Sequence, residues 1–146
     1  MGAGMNFKFK RLLEERRLVK IRLDKKFVLK EIKGAEDDLK TAKRSLQDGN
    51  FKWATIQGYY SMFHSARALL YSKGFREKSH HALLMAIQEL FRNEIDLSLI
   101  QGFEDAMHLR EAADYGLTFS EDGALDVIET AEKFLSEAKE ILGIRK

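Results

Sequence analysis

Apolar residues recur along most of this chain at steps of three and four, the period of a helix, and no segment alternates convincingly at the period of a strand. Ala35, Leu39, Ala42 and Leu46 follow one another in this way and predict a helix over residues 24–48, stopped by Asp48-Gly49-Asn50. A third helix is predicted over 51–73. It carries one stripe of Ile56, Tyr59, Phe63, Ala66 and Leu70, and a more polar stripe beside it of Trp53, Tyr60, His64, Arg67 and Tyr71, and Gly74 stops it. Ser79 caps a shorter fourth helix with Leu83, Leu84, Ile87, Leu90 and Phe91. A fifth is predicted over 96–115, ending at Gly116. The last starts at the Ser120 cap, with Glu121 and Asp122 favourably placed in its first turn, and carries Leu125, Ile128, Ala131, Leu135, Ala138 and Leu142. Ahead of these, residues 7–20 read as a short basic helix with Leu12, Leu13 and Val19 on one side. Met1-Gly2-Ala3-Gly4 reads as a disordered end or an added scar. The expected fold is all-α, an antiparallel four-helix-bundle core with an additional short N-terminal helix.

Composition adds constraints. The chain has 146 residues, a size suited to one domain, with 45% hydrophobic residues, no proline and no cysteine. Disulfides, thiolate catalysis and zinc–sulfur sites are therefore excluded. No run approaches the roughly 18 apolar residues of a membrane span. Lys8, Lys10 and Arg11 interrupt the first apolar stretch, so no signal peptide and a cytoplasmic location are expected. The net charge of +2 hides an asymmetry: residues 1–33 hold eleven Lys and Arg against four Asp and Glu, while the remainder holds fourteen against nineteen. The chain thus divides into a basic arm over residues 1–22 and a bundle over 23–146. The arm is either a solvated face or a contact for phosphates.

Arg110 is the residue that most needs an explanation. Leu99, Phe103, Ala106, Arg110, Ala113 and Leu117 keep the spacing of a buried stripe, with a guanidinium where an apolar side chain is expected. Such a charge must find a carboxylate, reach a cleft or meet a partner. Asp114, about 40° further round the helix, is the nearest carboxylate. Tyr115 precedes Gly116 and can turn back toward Arg110 or cap the bundle. His64, on the polar stripe, can approach Arg110 from a neighbouring helix or sit as a satisfied core or interface histidine. His80 and His81 open a helix, and His108 lies on the face opposite Arg110. No His with Asp or Glu has metal-ligand spacing, and no phosphate loop appears.

The string Tyr59-Tyr60-Ser61-Met62-Phe63-His64-Ser65-Ala66-Arg67-Ala68-Leu69-Leu70 resembles the central helix of small stand-alone HEPN proteins (nucleotide binding in higher eukaryotes and prokaryotes). Ser79-His80 opens the next helix as in that family, and Arg110-Glu111-Ala112-Ala113-Asp114-Tyr115 is similar to its Arg-x-x-Ala-Asp-Tyr signature. The resemblance spans residues 26–142. It implies a helical bundle, a homodimer and a partner of the minimal nucleotidyltransferase type, often in a toxin–antitoxin pair. Many active members are metal-independent ribonucleases whose motif is an Arg followed, four to six residues on, by a His. There a 2′-hydroxyl attacks the adjacent phosphate, His moves protons and Arg stabilises the developing charge. This sequence departs at that point, since Tyr115, Gly116 and Leu117 stand five to seven residues after Arg110. In some family pairs the transferase adenylylates a tyrosine near the motif, and Tyr115 is a candidate at a different offset.

The resemblance thus implies candidate catalytic residues Arg110, Asp114, Tyr115 and His64, and candidate nucleotide- or RNA-binding residues Tyr60, Arg67, His80 and Arg110, with no metal and no cofactor. The expected function is a HEPN-type transferase partner that binds RNA or nucleotide at a dimer-interface cleft, with ribonuclease activity weak or lost. The alternative is a non-enzymatic subunit that binds nucleotide, presents substrate or acts as a scaffold.

Overall fold

Each of the five longer helices starts where a short polar side chain takes up an orphan backbone N–H. Asp24 accepts from Lys26, Asn50 from Trp53, Ser79 from Ala82, Asp96 from Ser98 and Ser120 from Gly123. In the computed structural model, which describes residues 7–144, the elements in chain order are α1 (Phe7–Glu14), β1 (Leu18–Lys20), α2 (Lys25–Gln47), α3 (Phe51–Ser72), β2 (Phe75–Glu77), α4 (His80–Leu90), α5 (Leu97–Ala112), a 3₁₀ turn (Ala113–Tyr115) and α6 (Glu121–Leu142). The reading of residues 1–4 lies outside the described residues.

The fold is all-α, and α2, α3, α5 and α6 form its core. Ser61 Oγ donates to Ala35 O and Ser45 meets Gln57, so α2 and α3 are antiparallel. Lys43 pairs with Glu132 and Lys139 with Glu36, so α2 is antiparallel to α6 as well. It follows that α3 and α6 run in the same direction. α3 is the central helix and buries neighbours on every side, including the consecutive Ala68, Leu69 and Leu70. Its close approach to α6 depends on Gly58, where a Cβ would stand 2.9 Å from Val127 Cγ1. No described helix is long and apolar enough to cross a membrane.

The structure corrects the reading of residues 7–20 as one helix without strands. α1 ends at Glu14 because Arg16 takes a left-handed conformation, φ 59°. Its N–H bonds to Leu13 O while Arg17 N–H bonds to Leu12 O, the paired bonds of a Schellman stop. Leu18–Lys20 then pairs antiparallel with Phe75–Glu77, Val19 opposite Arg76. Phe9, Leu12 and Leu18 are fully buried, so the arm packs onto the bundle. A three-residue ribbon is too short to write a period into the sequence, and its pairing partner is remote.

Candidate functional site

The site is assembled from the middle of α3, the first residue of α4 and the last turn of α5. Tyr59 is fully buried and its hydroxyl must find a partner inside the protein. That partner is His80, placed by the Ser79 cap, with Tyr59 Oη 2.6 Å from His80 Nδ1. The imidazole also stacks on Phe63 at 4.4 Å between ring centres. Tyr60, one position on, is half-buried and accepts a hydrogen bond from Arg110 Nε at 3.3 Å.

Burial first, and then the Arg110 and Arg67 cations, hold His80 below the usual histidine range. Burial pushes the Tyr59 phenol up, so it keeps its proton. A protonated phenol donating to Nδ1 leaves the proton of a neutral imidazole on Nε2; this tautomer is assigned from the partner's ionisation. The guanidinium of Arg110 stays charged, supported by Tyr60.

Arg110 is not the buried charge its apolar stripe suggests, since its side chain is 35% exposed. Its ion pair with Asp114 is loose, 3.7 Å from Nη1 to Oδ2, and the Asp114 side chain is 73% exposed. Water screens such a contact, and it is a weak tie. Tyr115, at 88% exposure in the 3₁₀ turn before Gly116, projects into solvent and does not turn back to pair with Arg110. His81 pairs with Glu111 at 3.0 Å on the outer edge.

Two candidate residues belong to a neighbouring cluster instead. Both nitrogens of His64 are engaged by α2 carboxylates, Nδ1 to Glu31 at 2.7 Å and Nε2 to Asp38 at 3.4 Å. The ring lies over Gly34, where a Cβ would touch it at 3.4 Å. Arg67 lies over Phe63 and Tyr71, with its Nε 2.8 Å from Glu77 Oε2. The approach is short but badly aligned, so it is a charge contact more than a hydrogen bond, and Glu77 Oε1 is left without a partner among the described residues. The Glu77 side chain is 5% exposed, and burial pushes its carboxyl above the usual range.

Sequence reasoning singled out neither Tyr59 and Phe63, which hold His80, nor Glu77 in the neighbouring cluster. For Tyr59 a signal existed: a tyrosine on a core stripe has a hydroxyl to satisfy. Chemically, Tyr60, His80 and Arg110 gather a phenol, an imidazole N–H and a guanidinium with unused donors. That is a donor set for a phosphate oxyanion. Among the described residues no group of three or more His, Asp and Glu side chains could hold a metal ion.

The family model described as "HEPN domain" matches residues 29–142, which includes every residue of this cluster and leaves α1 and β1 outside. A "UPF0332 protein" of Archaeoglobus fulgidus is 34% identical over 112 residues, covering 74% of this chain and 89% of that one. Two proteins of Methanocaldococcus jannaschii are also similar. "Putative toxin MJ0605" is 32% identical, over 74% of this chain and 83% of its own, and "Putative toxin MJ0142" is 29% identical, over 76% and 78%.

Proposed function

This chain belongs to the HEPN family, and from that premise we propose that it is a toxin-like protein that binds RNA or nucleotide at Tyr60, His80 and Arg110. Its resemblance to stand-alone members supports a homodimer and a minimal nucleotidyltransferase as partner. The toxin names carried by two similar proteins support the toxin-like part. The observation that carries the proposal is Arg110 itself: Tyr60 holds its Nε at 3.3 Å, and no tight carboxylate occupies its other nitrogens. Ribonuclease activity is weak or absent in this reading, because Tyr115 stands near where active relatives carry His. Robust cleavage abolished by EDTA contradicts it.

The test is Arg110→Ala, with thermal unfolding and binding of a labelled single-stranded oligoribonucleotide measured side by side. Hydrogen bonds to charged groups contribute about 1.5–3 kcal/mol, so affinity is expected to fall about tenfold or more. Stability is expected to change little, because the Asp114 contact is screened. A large loss of stability with unchanged binding would leave the ion pair as the whole role of Arg110.

The exposure of Tyr115 favours a second reading, in which this chain is the substrate of its partner and not an enzyme. Transfer of an adenylyl group from ATP to the phenol oxygen, with release of pyrophosphate, adds one nucleotide to the intact mass. Co-expression with a minimal nucleotidyltransferase should give that mass in the native chain and not in Tyr115→Phe.

A further inference from the structure

The polar stripe of α3 does not end at Tyr60. Eleven positions further on, about 16 Å along the helix, it reaches Tyr71. There Tyr71 floors a cavity of about 350 Å³ between the β1–β2 ribbon and α2. Arg22 and Arg76 wall it from the ribbon side, Phe27 and Lys30 from α2. The backbone bond from Ile21 N–H to Gly74 O, 2.8 Å, carries the pairing of the ribbon one residue past Lys20, up to the residue before Arg22.

Three observations set this cavity apart from a merely basic surface. Arg22, Lys30 and Arg76 take part in none of the ion pairs among the described residues. The lining carboxylate, Glu31, is already engaged by His64 at 2.7 Å and faces Arg67 at 3.9 Å. Phe27 leaves an aromatic ring 53% exposed at the mouth. Three uncompensated cations repel one another, and an anion would relieve that repulsion.

We propose that this cavity is a second contact for single-stranded RNA: it seats a nucleotide with its phosphate on Arg22, Lys30 and Arg76 and its base against Phe27 or Tyr71. The inference rests on the binding reading for Arg110, since the same strand would be held at both ends of the stripe. Aromatic rings interleaved with cations suit unstacked bases, whereas the bases of a duplex are stacked away from such rings. An acidic peptide also offers one charge per residue, but its carboxylate side chains bring no base to lay on Phe27 or Tyr71. Of the stripe residues only Tyr71 lines this cavity; Arg22, Phe27, Lys30 and Arg76 come from the ribbon side and from α2.

The test measures anisotropy of labelled oligouridylates, from dinucleotides up to lengths in the range of about 4–16 usual for single-strand grooves. The proteins are wild type, Arg22→Ala/Arg76→Ala, Phe27→Ala and Arg110→Ala, each checked by thermal unfolding. Affinity is expected to rise with length until the strand spans both contacts. The double arginine variant should then bind long strands about tenfold more weakly and lower the salt slope by up to about 0.7, the value of one phosphate contact on a single strand. Phe27→Ala should weaken binding with the slope unchanged. If the cavity variants match wild type at every length while Arg110→Ala binds weakly, the second contact is wrong and the binding reading survives. If Arg110→Ala matches wild type while the cavity variants lose binding, the cavity stands and the reading of Arg110 falls. Equal affinity for duplex RNA, or equal competition by polyglutamate, overturns the single-strand assignment. Absence of binding at any length overturns both.

Discussion

Tyr59 and His80 meet because α3 buries a phenol and the Ser79 cap delivers an imidazole to it. In Tyr59→Phe, Nδ1 loses its donor, at a cost of about 1–3 kcal/mol for a group left unsatisfied. Nitrogen-15 shifts of His80 should show the proton on Nε2 in the native protein and a mixture of tautomers in the variant. A single unchanged tautomer would mean that Tyr59 does not set it. The depressed pKa of His80 also has a sign. The folded state binds its proton less readily than the unfolded state, so His80 contributes stability above about pH 6.5, which is lost as pH falls through and below that value. Buried Glu77 and half-buried Asp38, raised in the folded state, act in the opposite direction at lower pH. The difference between native protein and His80→Gln isolates the imidazole: denaturant midpoints should converge as pH drops from 7 to about 5. Arg110 stood out in the sequence by its place in an apolar stripe, although the structure leaves its side chain 35% exposed. The preference of His64 for Glu31 and Asp38 was not, because those acids read as a solvated face of α2.

The elements were legible in proportion to their length. α2, α3 and α6 each repeat their apolar period over 22 or 23 residues and begin at polar caps readable in the sequence. The ribbon was not legible, since three residues carry no period and Arg16 gives no sign of a left-handed turn. L-residues in that conformation cost roughly 1–2 kcal/mol, which glycine avoids at some cost in chain entropy. Arg16→Gly is therefore expected to stabilise the protein by up to about 1 kcal/mol in chemical denaturation. A destabilised variant would mean that the arginine side chain contributes more than its backbone costs.

At the scale of the whole molecule, the asymmetry of charge acquires a location: part of the basic arm is folded against the bundle and walls a cavity. Removing residues 1–22 to probe charge would also remove Phe9, Leu12 and Leu18, each worth about 1.5–3 kcal/mol when buried. Replacing surface arginines is the cleaner probe. Tyr60, His64, Arg67 and Tyr71 remain only half-buried along one face, while Trp53 at the start of α3 is exposed. Aromatic residues and arginine are enriched in interfaces, and a second copy is expected on this face. Light scattering at micromolar concentration should then give twice the 16.8 kDa of one chain, and a monomer at every concentration would count against it. The fold class followed from helical periodicity alone, whereas surfaces made by joining distant segments had no local signature.

The ribbon also imposes an order on synthesis. β1 emerges from the ribosome early, but its partner Phe75–Glu77 follows only after the whole of α2 and α3, at a rate of about 5–20 residues per second. α2 and α3 can zip together in the meantime, since each needs only the adjacent helix to bury its first stripe. Arg22 and Arg76 cannot line one cavity until the ribbon has closed. The nascent α2–α3 hairpin therefore lacks the basic cavity, which appears only after translation has passed Glu77.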